Sequence, residues 1–223
     1  MKRTKQMSES IRLGVILAVS GGLMDAYSYI GRDQVFANAQ TGNMLLLGIS
    51  LAQKNWVDAV RYLFPVLAFT IGIAMADIVR IKLKKMSVLH WRQVSALTEA
   101  LILIAVSFMP QSMNLWANSL ASLACGIQVE SFRKIRGNGA ATTMCIGNLR
   151  SATQNVCEYW FTRDKERLEK GGLYFGLIVC FITGAVIGNE VLKVLHERTI
   201  LVSSGLLLIA FAIMFIDKEQ EKK

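Results

Sequence analysis

FANAQTGNMLLLGISLAQ, residues 36–53, is the stretch on which the fold turns. Its start is polar (Asn38, Gln40, Thr41, Asn43) and its remainder is greasy. A lipid-facing helix cannot carry that many polar groups cheaply, because hydrocarbon supplies no hydrogen-bond partners. The segment must face protein or a water-filled cavity. It either crosses the membrane inside a bundle or dips in and returns. A second stretch poses the same choice. AATTMCIGNLRSATQNVCEY, residues 140–159, carries Thr142, Thr143, Asn148, Arg150, Ser151, Thr153, Gln154 and Asn155.

Around these two segments lie six apolar runs: 13–30, 62–79, 94–109, 115–129, 173–187 and 200–216. A bilayer core needs about 20 predominantly apolar helical residues, so several runs borrow flanking residues. Of 223 residues, 53% are hydrophobic and 18% charged, against about 25% charged in a soluble domain. The mean hydropathy is +0.40. A soluble domain, a disordered tail and a disulfide scaffold are excluded, which leaves a polytopic membrane protein. Pro65 is expected in the first turn of its helix, where a missing N–H costs little. Run 13–30 is too long for a signal-peptide core and no A-x-A site follows it, so no cleavable signal is expected.

The two polar segments resemble each other. Thr41-Gly42-Asn43-Met44 is echoed by Ile146-Gly147-Asn148-Leu149. Asp25 lies 17 residues before Gly42, and Glu130 lies 17 before Gly147. Tyr27 and Phe132 follow those acids by two. Phe69-x-x-Gly72-x-x-x-Ala76-Asp77 is echoed by Phe181-x-x-Gly184-x-x-x-Gly188-Asn189. Three landmarks in one order read as two repeats, about 10–110 and 112–217, within a single integral membrane domain over 1–223.

Charge decides between the two topologies, because cytoplasmic loops are enriched in Lys and Arg. If all eight segments cross, with the N-terminus inside, the loops hold 13 Lys/Arg inside and 11 outside. If the two polar segments re-enter, the split becomes 19 inside and 5 outside, leaving out Arg150 within its segment. The second arrangement obeys the rule. The expected fold is an all-α polytopic bundle of six spans plus two short polar re-entrant helices, with an internal two-fold repeat. The second half is then inverted, as in many transporters, and both termini are cytoplasmic. Such loops account for the net charge of +9 without a nucleic-acid partner. The expected partners are the bilayer, a small solute and a second copy of the chain.

Gly22-x-x-Asp25-Ala26, Tyr29-Ile30, Phe36 and Thr41-Gly42-Asn43 carry a family signature. So do Gly126-x-Gln128, Arg133-Lys134-x-Arg136, Thr142-Thr143 and Gly147-Asn148. Through these residues, over nearly its whole length, the chain resembles the YoaK-like family of uncharacterised bacterial multi-pass membrane proteins. The resemblance implies membrane location and architecture and leaves the substrate open. Ile146 departs from it, standing where a threonine like Thr41 is expected.

Within the spans, the chemistry rests on few residues. Asp25 reads as a proton or cation site, or as an acid that caps or snorkels near the interface. Glu99 lies about 12 Å down its helix from Trp91 and reads as a protonatable coupling residue or as a neutral acid bonded to a neighbour, with Thr98 a ready partner. Glu130 precedes Arg133 and Lys134 by three and four and reads mainly as a helix-end ion pair, and Asp77 with Arg80 likewise. Gly42-Asn43 and Gly147-Asn148 combine close backbone approach with amide donors and acceptors. A helix starting there would aim free N–H groups at the protein centre, suiting an anion or polar ligand. Gln128 belongs to the second signature, and Arg150 would pair with an acid or bind an anionic solute. Gly172-x-x-x-Gly176 and Gly184-x-x-x-Gly188 read as packing faces. Cys125, Cys145, Cys157 and Cys180 have no metal or redox spacing, and His90 and His196 stand alone. No hydrolase, nucleotide or metalloprotease motif occurs, so no enzyme, cofactor or metal is expected. The function these features suggest is a permease for a small polar or anionic solute, with Asp25 and Glu99 carrying protons. A passive channel of the same plan is the alternative, as is a non-transporting partner or assembly protein acting through the basic loop at 80–92.

Overall fold

A computed structural model describes residues 10–83, 91–135, 137–139 and 141–220, with side chains for all but 83 and 215–220. Most of the basic loop at 80–92, with His90, lies outside the described residues, as do Arg136 and the charged N-terminus. The described chain is all-helical apart from one tiny hairpin. In order it runs α1 (Ile11–Gly31), α2 (Gln40–Ala52), α3 (Trp56–Leu83), α4 (Trp91–Ser107) and α5 (Asn114–Ser131). It continues through the hairpin β1 (Lys134–Ile135) and β2 (Asn138–Gly139) to α6 (Cys145–Thr162), α7 (Lys165–Leu195) and α8 (Ile200–Gln220).

Among the described residues, three stretches are long and apolar enough to cross a membrane: Ile11–Gly31, Trp56–Lys82 and Lys165–Met214, the last broken by a short turn at His196–Thr199. Large apolar side chains are exposed along α3 (Phe64, Leu67, Ile71, Ile78) and α7 (Phe175, Val179, Ile182, Val186). Water would penalise a surface of that kind, and lipid does not. The fourth and fifth helices miss the same standard for different reasons. α4 has only 17 residues. α5 is rich in buried Asn, Ser and Gln (Asn114, Asn118, Ser122, Gln128), a composition suited to the inside of a bundle.

Local signals set the boundaries. Ser10 caps α1 by accepting from Leu13 N at 3.2 Å, and Asp164 caps α7 by accepting from Glu166 N at 2.9 Å. α3 begins at Trp56, where Asn55 accepts from Asp58 N at 3.2 Å, so Pro65 is not in the first turn but inside the helix. The sequence reading began that helix at its apolar run and missed the amphipathic turns before it.

α1 is the central helix. It packs along α7, and α3 packs along α5. A Cβ at Gly22 would overlap the Phe181 carbonyl, and one at Gly184 the Val19 carbonyl. In the other pair, a Cβ at Gly126 would overlap the Phe69 carbonyl, and one at Gly72 the Leu123 carbonyl. The two helix pairs are thus built by equivalent contacts. Gly184 and Gly188 pack on α1 as expected, whereas Gly172 and Gly176 face open space and are not a packing face.

The ends of the bundle can be told apart by what meets there. At the C-terminal end of α1, Gly31, Asp33 and Gln34 line one groove with Arg61 of α3 and Gln111. At the opposite end, Ile135 and Leu177 lie against Gly14, and Arg92 donates to the Ser131 carbonyl at 3.0 Å.

Candidate functional site

Two elbows, 32–39 and 141–144, bring the polar segments to the middle of α1. In the first, Asn38 N donates to Asp25 Oδ1 at 2.7 Å, and Asn38 Nδ2 donates to the Gly21 carbonyl at 3.1 Å. Ala37 N donates to Ser28 Oγ at 3.0 Å. The chain that leaves α1 at Gly31 has therefore come back about 15 Å along the helix axis, ten residues at 1.5 Å each. α2 then carries it back to the end it left. It has 13 residues, about 20 Å, too short for a ~30 Å hydrocarbon core. Trp56 and Val57, just past α2, share a groove with Asp33.

The second elbow arrives from the other end. Thr143 packs its methyl group against Gly21. Gln128 Nε2 donates to Thr142 Oγ1 at 3.1 Å and to the Leu17 carbonyl at 3.2 Å. α6 leads back toward the start of α7, where Arg167 pairs with Glu158 at 2.9 Å. Tyr174 Oη donates to the Gly139 carbonyl at 3.1 Å, tying α7 to the hairpin.

The Gly-Asn elements explain how each elbow is held. Asn43 Nδ2 donates to the Phe36 carbonyl at 2.7 Å, and its Oδ1 accepts from Phe36 N at 3.0 Å. Asn148 Nδ2 donates to the Ala141 carbonyl at 2.6 Å. Each asparagine reaches back seven residues and ties the elbow to its helix. Asn43 spends both ends of its amide on the chain itself, and Asn148 spends its amide nitrogen there. Gly42 lies against Phe36, whose ring stacks on Tyr29 at 4.6 Å, while Thr41, Gly147 and Arg150 face outward.

Asp25 does cap. Its carboxylate sits on the elbow backbone just ahead of α2, at the positive end of that helix. Glu99 is fully buried on α4 with both carboxylate oxygens unpartnered among the described residues, so the hydrogen bond expected from Thr98 is not made. α8 joins it to the centre: Ser204 donates to the Ala100 carbonyl at 3.0 Å and Ser203 to the Ser20 carbonyl at 3.3 Å. Cys125, which touches Met24 at 3.8 Å, lies within electrostatic reach of both Asp25 and Glu99. All four cysteines are free, with Cys125 buried and Cys157 exposed.

Glu130 does not join the centre. It meets Arg133 at 3.4 Å and Arg80 of α3 at 4.0 Å, and Arg80 also pairs with Asp77. The two expected helix-end pairs are thus one cluster. Lys134 instead enters β1 and faces outward. The glycine contacts match Gly22 to Gly126, one residue away from the register that matches Asp25 to Glu130. The two acids accordingly do different work.

One residue escaped the sequence reading. Arg32, counted there as a loop charge, is fully buried. Its guanidinium donates to Tyr27 Oη (2.8 Å), Asn114 Oδ1 (2.9 Å) and the carbonyls of Pro110 (3.1 Å) and Met109 (2.6 Å). Asn118 Nδ2 donates to the Arg32 carbonyl at 2.7 Å. Arg32 thus ties the root of the first elbow to the ends of α4 and α5.

The architecture has relatives. The family model described as protein of unknown function (DUF1275) matches residues 13–213. The chain belongs to the DUF1275 family. It is 25% identical over 186 residues to the UPF0700 transmembrane protein YoaK of Bacillus subtilis (strain 168), covering 77% of this chain and 79% of that protein. No solved structure matches. A DUF1275 protein with this transmembrane relative and this apolar surface is an integral membrane protein of the YoaK-like kind. Both elbows, and the α1 and α5 residues they meet, lie inside the stretch that the DUF1275 model covers.

Proposed function

We propose that this protein is a permease for a small polar solute. In this reading α1, α3, α4, α5, α7 and α8 cross the membrane, and α2 and α6 belong to re-entrant hairpins entering from opposite faces. The termini lie in the cytoplasm, and the two halves form an inverted repeat. One observation carries the proposal: Asn38 and Thr143, arriving from opposite ends of the bundle, both meet α1 at Gly21. Irregular backbone at membrane depth occurs where it is buried in protein or lines a path, and discontinuous helices meeting at the middle are the usual build of a transport site. The loop charge supports the sidedness, with 19 Lys/Arg falling inside and, once the buried Arg32 is set aside, 4 outside.

The geometry favours a neutral or cationic solute over an anionic one. The positive end of α2, where an anion would dock, already faces the Asp25 carboxylate. Arg150 is exposed on α6, away from that centre. No enzyme chemistry is proposed.

Sidedness is tested first, with single cysteines at Asp58 and Lys165 in a cysteine-free background and an impermeant thiol reagent on intact cells. Position 58 labels and position 165 does not. The opposite pattern, labelling of both, or labelling of neither as eight crossings would give, ends the inverted-repeat reading. Counterflow in proteoliposomes then tests transport against a panel of small polar solutes. A carrier shows trans-stimulated uptake that falls at least ten-fold in Asp25→Asn. Flux without trans-stimulation makes the protein a channel, and the absence of flux for every solute removes the permease reading.

A further inference from the structure

Four buried oxygens surround the middle of α1 with no hydrogen bond among the described residues: Ser20 Oγ, Asn38 Oδ1, Gln128 Oε1 and Thr143 Oγ1. Their residues are 0%, 6%, 0% and 5% exposed. Three of their residues meet one stretch of α1, and Ser20 belongs to that stretch. Asn38 donates to the Gly21 carbonyl, Thr143 packs on Gly21, Ser20 precedes it, and Gln128 donates to Leu17 one turn below. Asp25 lies one turn above. Each amide nitrogen is committed to a backbone carbonyl, which fixes the orientation of the amide and leaves its oxygen as the free group.

The charge balance points the same way. Asp25 and Glu99 are both buried, and Arg32 is the only buried basic side chain among the described residues. Arg32 lies seven residues past Asp25, about 10 Å along the chain axis even in a continuous helix, and its donors go to neutral acceptors. A polar atom buried without a partner keeps its desolvation cost uncompensated. The free amide and carboxylate oxygens are acceptors only, so a ligand that relieves them brings positive charge. Amide, hydroxyl and carboxylate oxygens are hard donors, suited to hard cations. One carboxylate among neutral oxygens matches a single positive charge better than two.

We propose that the point between the two elbows binds one small monovalent cation, an alkali metal ion or a small protonated amine, through Asp25, Asn38, Gln128, Thr143 and Ser20. The inference shares its site with the permease reading and rests on it for nothing else. In transport terms this cation is the coupling ion, and Glu99, across Ser203 and Ser204 of α8, is the neighbouring carboxyl that balances its charge when it moves.

The test is thermal unfolding of the purified full chain in detergent, followed by tryptophan fluorescence. Choline chloride holds the ionic strength while sodium, potassium, lithium or methylammonium chloride replaces it. A ligand that binds only the folded state raises Tm saturably with its concentration. At least one of these cations does so, and the choice among them separates a metal ion from an amine. Thr143→Val weakens the apparent affinity about ten-fold, and Thr143→Ser keeps it. If Thr143→Val does not fold, Ser20→Ala carries the same comparison. The inference is overturned if no cation acts beyond choline, if sulfate or phosphate stabilises instead, or if folded Thr143→Val and Ser20→Ala bind as the parent does. Cation binding without flux removes the permease reading alone. Flux with no cation-dependent rise in Tm removes this inference alone.

Discussion

The two elbows share a hook and differ in their caps. Asn43 and Asn148 each tie an elbow to the helix that follows it, seven residues on. The first elbow is further held by a carboxylate, a serine hydroxyl and the Asn38 amide, all from its own side of the bundle. The second is held by Gln128, a neutral amide, through one threonine hydroxyl. Two segments with nearly the same sequence pattern therefore have unequal anchoring. The first elbow behaves as part of the wall. Among the described residues the second makes fewer such bonds, and local opening is drawn from weakly held elements. Ile146, Leu149, Trp160 and Phe161 leave the outer face of α6 apolar and exposed in the single chain.

The hooks give the largest expected difference. Asn43 bonds Phe36 N, the Phe36 carbonyl and Gln40 Oε1, whereas Asn148 bonds the Ala141 carbonyl alone through its side chain. At a net ~1 kcal/mol per hydrogen bond, Asn43→Ala destabilises by about 3 kcal/mol and Asn148→Ala by about 1 kcal/mol. Chemical denaturation in mixed micelles reads both. Equal losses would mean that the elbows are anchored alike and that the asymmetry has no energetic content.

The sequence carried the membrane class, the helical build and the two polar segments as places that need partners inside the protein. Lys and Arg counts report which loops share a side, and apolar runs report what must avoid water. It did not carry the job of each polar residue. Arg32 looks like any loop arginine because two of its four acceptors are the backbone carbonyls of Met109 and Pro110, and carbonyls leave no mark in a sequence. The Gly-Asn elements looked like ligand groups because spacing cannot tell an amide aimed at a solute from one aimed at its own backbone. Glu130 was matched to Asp25 through their equal distances to Gly42 and Gly147. Helix packing sets a register one residue away, and Arg80 and Arg133 claim the side chain. Ser20 and Asn38 gave no signal of convergence. Only the return of the chain to Gly21 brings them together.

The glycines of the two hooks give the smallest effect and the sharpest test, because the expected signs are opposite. A Cβ at Gly42 would meet the Phe36 ring at 2.7 Å, closer than side chains pack. That ring is stacked on Tyr29 and cannot simply turn away, so Gly42→Ala costs about 1–2 kcal/mol, in the range for an overpacked site. At Gly147 a Cβ would meet nothing within 4 Å. There alanine relieves a glycine in the first turn of α6, so Gly147→Ala stabilises by about 0.5 kcal/mol. The same unfolding assay reads both, with Asn43→Ala as the scale. If both glycines tolerate alanine, the first elbow has slack and the contrast in packing fails. If both resist it, the outer face of α6 is covered by something the single chain does not contain, and a second copy packed on Ile146 and Gly147 becomes the structure to look for.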